Sequence, residues 1–143
     1  MIEKNRNNNN ILYLLPKYEK YMEYMIDNVV SKLPRIEKFN IGNEIKISMF
    51  ESVKYILILS KVDKKLRLGY LNMLDANICV QRIYVRIMYK RRYLDTKRYM
   101  YIMEMLAEIY NNIYINSMIC IFGNVTNINN NYLINSEEIY IFT

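Results

Sequence analysis

The chain has 143 residues, of which 52% are apolar, and its 20 Lys and Arg against 14 Asp and Glu give a formal charge of +6. This length can bury one sizeable core, but no apolar run approaches the roughly 18 residues that a membrane span needs. Histidine is absent, which excludes Ser-His and Cys-His catalysis, His-ligated zinc and the Glu-x-x-His pairs of di-iron bundles.

The positions of the glycines and cysteines exclude further classes of function. The three glycines, Gly42, Gly69 and Gly123, are too scattered to form a phosphate-binding loop of the Walker or dinucleotide kind. The two cysteines, Cys79 and Cys120, lie among apolar neighbours and make no disulfide framework. Because the N-terminus also lacks a signal-peptide core, we predict a cytoplasmic protein with no catalytic residues, no cofactor, no metal site and no membrane contact.

The N-terminal part of the chain predicts a leader followed by a first helix. Residues 1–10 are polar and contain four consecutive asparagines, so we predict a disordered leader. Pro16 suits the first turn of a helix, and Pro34 disfavours helix in the residue before it, so the first helix should end near Lys32. Its inward face has apolar residues at helical spacing, namely Tyr18, Tyr21, Met22, Met25, Val29 and Leu33.

A polar connector, residues 33–42, leads into the second helix. Ile36 and Phe39 are its two apolar anchors, and Asn40 can cap the helix that follows. The apolar face of that helix is formed by Ile45, Met49, Val53, Ile56 and Leu59, with Ser48, Ser52 and Ser60 on or beside it. We interpret these serines as permitting close helix approach, because a serine nucleophile would have no base to activate it.

The third helix is predicted from Asp63, a plausible N-cap, to Lys90. A rotation of 100° per residue predicts an inward face with Leu66, Tyr70, Met73, Asn77, Val80, Tyr84 and Met88, and places Arg82, Arg86 and Lys90 near the opposite side. Leu71, Ile78, Ile83 and Val85 widen the apolar arc beyond the roughly 100° of a one-sided helix, so we expect another copy of the chain to cover part of it. Asn77 and Gln81 predict a polar layer that fixes helix register, in preference to a ligand site.

Positive charge is concentrated at the end of this helix. From Arg82 to Arg98 the chain has seven cations and one acid, Asp95, a balance of +6. Like charges four residues apart repel each other on a helix, so such a row suggests an anion that relieves the repulsion. Phosphate backbone is one candidate, and an acidic protein face would serve equally well. The predicted contact residues are Arg82, Arg86, Lys90, Arg91, Arg92, Lys97 and Arg98, together with Lys64 and Lys65.

The fourth helix follows a short turn in which Asp95 or Thr96 is the predicted cap. Four amphipathic helices with short connections predict an all-α, antiparallel up-down-up-down bundle over residues 11–115. Residues 116–143 contain no Lys or Arg, and Ser117–Phe122 and Glu138–Phe142 have β-like character, so we predict a weak hairpin or a flexible accessory tail.

The connector, read as Leu33-Pro34-Arg35-x-Glu37-Lys38-Phe39-x-Ile41-Gly42, resembles that of the Avd (accessory variability determinant) proteins of diversity-generating retroelements. Leu74-Asp75 and the spacing of Arg82 and Arg86 in the third helix add to the resemblance, which covers roughly residues 17–115. It implies a four-helix bundle that assembles into a pentameric barrel with a basic surface. Such proteins bind nucleic acid and associate with the element's reverse transcriptase during mutagenic copying, and they are not enzymes. Within the connector, the resemblance suggests a structural role for Arg35 and Glu37.

Two functions therefore remain open. The first is a homo-oligomeric accessory protein that binds RNA or DNA and a reverse transcriptase. The second is a protein-only scaffold, either one that docks an acidic partner or one of the type encoded in ribosomal RNA intervening sequences, whose connector is similar.

Overall fold

The computed structural model describes residues 2–123, and these form the predicted all-α four-helix bundle. The elements are α1 (Ile2–Tyr24), α2 (Arg35–Phe39), α3 (Ile41–Leu59), α4 (Lys64–Lys90) and α5 (Thr96–Phe122), and a π-helical turn (Met25–Val29) and a 3-10 turn (Val30–Lys32) extend α1. Each long helix packs against two others, in the cyclic order α1, α3, α4, α5. No strand occurs in this part of the chain, and none of its helices is long and apolar enough to cross a membrane.

The first helix begins earlier than predicted. It starts at Ile2, so residues 2–10 are helical and not a disordered leader, and Pro16 lies inside the helix. The physical reason is that the Asn-rich run contains neither glycine nor proline, so the helix propagates from the packed turn at Ile11 and Leu14 without a breaker. The predicted end near Lys32 is confirmed, because Leu33 is extended (φ −65°, ψ 150°) in front of Pro34.

The C-terminal boundary also differs from the prediction. Helix α5 continues to Phe122, so the β-like character assigned to Ser117–Phe122 was wrong and the bundle extends beyond residue 115. The amide of Asn116 donates to the carbonyl of Asn112 (2.8 Å), and the Ser117 hydroxyl donates to that of Ile113 (2.9 Å). These polar side chains thus bond to the preceding helical turn, and the helix ends only at Gly123, whose φ is +77°. The predicted second β-like segment, Glu138–Phe142, lies outside the described residues.

Helix α4 is rotated relative to the predicted face. Three residues expected to face inward are exposed: Leu66 (56%), Met73 (49%) and Val80 (41%). The buried residues of α4 are instead Arg67, Leu71, Leu74, Ile78, Gln81, Arg82, Val85 and Met88. The apolar arc of α4 is wider than the other helices of the bundle can cover. The half that becomes buried is the one whose polar residues have partners on neighbouring helices.

Gln81 shows how a polar residue becomes part of the core. Its side-chain oxygen accepts from the Tyr18 hydroxyl (3.0 Å), and its nitrogen donates to Ser48 (3.1 Å) and Ser52 (3.0 Å). The predicted polar layer is therefore present for Gln81, with partners on α1 and α3, whereas Asn77 accepts a bond from Ser48 only through its backbone carbonyl (3.4 Å). Such a buried, satisfied network fixes the register of three helices.

The connector meets the bundle differently from the prediction. Ile36 and Phe39 do not anchor it, because their side chains are 75% and 69% exposed. Leu33 and Ile41 are the buried residues on either side. A Cβ on Gly42 would lie 3.4 Å from the carbonyl oxygen of Glu37 and 3.3 Å from Val30, so the missing side chain lets α2 fold back closely on the start of α3.

Candidate nucleic-acid interface

Five cations gather where α4 passes into α5. We call this group the basic corner: Lys90, Arg91, Arg92, Lys97 and Arg98. Lys90 ends α4, Arg91 and Arg92 form the turn, and Lys97 and Arg98 lie in the first turn of α5. The turn brings cations from two helices to one end of the bundle.

The turn is closed by hydrogen bonds typical of a Schellman helix end. The amide of Tyr93 donates to the carbonyl of Met88 (2.9 Å), and that of Arg92 donates to Tyr89 (3.0 Å). Arg92 occupies the left-handed position of this motif with φ +63°, and it is the one described non-glycine residue with positive φ. Glycine is preferred there, so the chain holds an arginine where the backbone disfavours a side chain.

Two residues after the turn fix the start of α5. Leu94 is buried, and the carboxylate of Asp95 accepts from the backbone amide of Arg98 (2.7 Å), which confirms the predicted cap. This backbone hydrogen bond is the main cause of a lowered pKa for Asp95, and the positive charge of Arg98 adds to it. The carboxylate is therefore ionised at neutral pH beside the cations of the corner.

The cations of the corner differ in how they are engaged. Arg91 pairs with Glu37 of α2 (3.5 Å), and Arg98 pairs with Asp95 (3.3 Å) and donates to the backbone carbonyl of Asn28 (3.1 Å). Lys90, Arg92 and Lys97 are exposed and form no ion pair with any side chain that the structure describes. These three are the cations most available to an external anion.

Tyrosines lie beside the corner. The rings of Tyr89 and Tyr99 stack with centroids 4.2 Å apart and planes 13° apart, and the Tyr89 hydroxyl lies 3.1 Å from that of Thr96. This stack joins the last turn of α4 to the first turn of α5, so it holds the two halves of the corner together. This stack was not predicted from the sequence, because it depends on how α4 and α5 pack against each other.

Arg82 and Arg86 do not belong to an exposed row. Arg82 is only 3% exposed and lies with its guanidinium carbon 5.5 Å from the centroid of the Tyr110 ring, and Arg86 is half-buried. Burial raises the pKa of Asp75, and the charge of Arg82 opposes that rise, so the two groups interact inside the α4–α5 interface. The prediction that Arg82 faces water was wrong, because helical periodicity within α4 cannot reveal partners such as Tyr110 on α5.

Other residues singled out from the sequence lie away from the corner. Lys64 and Lys65 are exposed at the first turn of α4, about 39 Å from Lys90 at 1.5 Å per residue. Burial raises the pKa values of the thiols of Cys79 and Cys120, so neither is poised as a nucleophile. Among the described residues no group of three carboxylates or thiols could hold a metal ion.

Comparison with known proteins identifies the family to which the chain belongs. A family model described as bAvd-like matches residues 12–119, which is more than half of the chain. No curated protein and no solved structure matches it. The match includes α3, α4, the connector and the basic corner in full and most of α5 and the second half of α1, and the chain therefore belongs to the bAvd-like family.

Proposed function

We propose that this protein is a non-enzymatic, cytoplasmic, homo-oligomeric accessory protein that binds nucleic acid through the basic corner and associates with a reverse transcriptase in a diversity-generating retroelement. The observation that carries the proposal is a set of exposed cations in a bAvd-like bundle, Lys90, Arg92 and Lys97, that form no ion pair with the side chains of the described part of the chain. The reverse transcriptase and the retroelement are part of the proposal because the connector resembles that of the Avd proteins.

The electrostatic argument favours a polyanion. Three cations that have no counterion among the described side chains repel one another across a short turn. A phosphate chain relieves that repulsion while releasing its own condensed counterions. Each phosphate neutralised changes the slope of log K against log salt by about −0.7 to −0.9. If all three bind phosphates, the slope should be roughly −2 to −3. Contacts of this kind fix position and carry little sequence preference.

Self-association is supported by a second surface. On α4 the exposed residues Leu66, Met73 and Val80 recur every seven positions, and Ile83 lies beside them. Exposed Gly69 and Ala76 lie between them, and nothing lies within 4 Å of a Cβ built on Gly69. A seven-residue apolar repeat with small residues suits a second helix packed along α4. We propose that this helix comes from another copy of the chain, in a pentamer by resemblance to the Avd proteins.

Charge reversal tests the nucleic-acid part. We expect Arg92→Glu combined with Lys97→Glu to abolish most binding of a fluorescent single-stranded oligonucleotide in low salt, measured by anisotropy. The matched control is Lys64→Glu with Lys65→Glu, which makes the same change in net charge at the other end of α4 and should cost little. Equal losses in both double variants would mean that binding depends on net charge alone and would refute a site at the corner.

Partner capture tests the remaining part. A reverse transcriptase encoded beside this gene, with a nearby imperfect repeat that differs at adenines, should co-purify with the tagged wild-type protein. Capture that survives nuclease treatment but is lost in the corner variant, together with no oligonucleotide binding by the wild type, would instead identify a scaffold for an acidic protein.

A further inference from the structure

A shallow cleft of about 780 Å³ lies between α1 and α5, directly beside the basic corner. Lys97 and Arg98 contribute its positive rim, and its apolar lining comes from tyrosine and methionine side chains. The corner and the cleft thus share two residues, so an anionic chain bound at the corner has direct access to an apolar, aromatic surface.

The aromatic group at the centre of the cleft is Tyr101. Its ring packs edge to face on Tyr24, with centroids 4.8 Å apart and planes 75° apart, and the residue remains 38% exposed. The neighbouring Met100 is 60% exposed. Tyr24 therefore orients a ring that keeps part of its surface open, which is the arrangement that a stacking partner requires.

Positive and negative side chains lie at opposite ends of this surface along α5. Lys97, Tyr101 and Glu108 share one face of the helix, and Glu104 lies one turn after Tyr101 on that face. Lys97 and Tyr101 are about 6 Å apart along the axis, comparable with the separation of phosphate and base within one nucleotide. The two carboxylates beyond Tyr101 repel phosphate, so the strand's contact with α5 ends there.

We infer that this cleft binds an unpaired base of single-stranded RNA or DNA, with its phosphate at Lys97 and its base stacked on Tyr101 beside Met100. This inference rests on the proposed nucleic-acid function and specifies the form of nucleic acid. The bases of a duplex are already stacked on one another and cannot reach the ring, whereas a single strand offers every base to an aromatic side chain.

Three probes of comparable charge separate stacking from charge: an oligothymidylate, an abasic oligonucleotide of the same length, and a duplex. We expect Tyr101→Leu to weaken oligothymidylate binding about five- to a hundredfold, as for the loss of one stacked base, and to leave the other two affinities unchanged. Tyr101→Phe keeps a stacking ring and should bind like the wild type. Tyr13→Ala is the matched control, since Tyr13 is exposed on α1 outside the cleft.

Two results would overturn the inference. One is a Tyr101→Leu protein that binds oligothymidylate as tightly as the wild type, and the other is an equal loss for all three probes. Glu104→Gln provides an independent variant, because removing this acid from the rim should tighten oligothymidylate binding severalfold if a strand lies there, and an unchanged affinity counts against it. A wild-type protein that binds none of the probes would refute the proposed function itself, which is a distinguishable outcome.

Discussion

Replacing Arg92 by glycine should stabilise the fold and weaken the proposed function at the same time. Arg92 has a φ of +63° at the end of α4, a conformation that costs an L-residue roughly 1–2 kcal/mol and glycine almost nothing. Glycine also gains about 0.4–1 kcal/mol of conformational freedom in the unfolded chain, which opposes the gain. The expected net stabilisation is about 0.5–1 kcal/mol, or a rise in melting temperature of roughly 2–5 °C.

Arg92→Ala is the control that separates backbone strain from charge. Alanine removes the same guanidinium but keeps the Cβ, so it should lack most of the stabilisation while losing as much affinity for a single-stranded oligonucleotide as the glycine variant. Thermal denaturation followed by circular dichroism gives the stability, and anisotropy in low salt gives the affinity. A glycine variant no more stable than the alanine variant would show that the turn is unstrained. If both variants bind like the wild type, Arg92 makes no contact with nucleic acid.

Two further predictions concern the core and the exposed apolar residues of α4. Gln81→Leu leaves the hydroxyls of Tyr18, Ser48 and Ser52 without their shared partner and should cost about 1–3 kcal/mol in urea denaturation. Asn72→Leu, at an exposed position of the same helix, should change stability by less than about 0.5 kcal/mol, and equal effects would contradict a register role for Gln81. Met73→Glu with Val80→Glu should convert the proposed oligomer to monomers of unchanged helicity in light scattering, whereas Ile36→Glu on the exposed face of α2 should not. If the double variant of Met73 and Val80 remains an oligomer, the exposed apolar residues of α4 are not the contact between copies.

The parts of this fold that were predictable from sequence are those governed by neighbouring residues. Pro34 fixes the end of the first helical segment at Lys32, and Asp95 caps α5, because both effects act within a few residues along the chain. The rotation of α4 was not predictable in this way. Its two apolar flanks are nearly equivalent by periodicity, and the choice between them depends on Tyr18, Ser52 and Tyr110, which lie on other helices.

The same reasoning explains why the candidate site was predicted only in part. The five residues of the basic corner are close in sequence and separated by a short turn, so their clustering follows from the chain itself. Arg82 was assigned to water because a rotation of 100° per residue places it opposite the predicted inward face, yet the ring of Tyr110 and the nearby charge of Asp75 make its burial tolerable. Whether a charged residue of a helix is buried can therefore be predicted only when its partners on the other helices are known.

The connector and the basic corner form one structural unit, although they are some fifty residues apart in sequence. Gly42 allows α2 to fold back, and Glu37 on that helix pairs with Arg91. The carbonyl of Asn28, just before the connector, accepts from Arg98. The connector therefore positions Arg91, and the turn before the connector positions Arg98. Lys90, Arg92 and Lys97 form no ion pair with any described side chain, so these three remain for a partner.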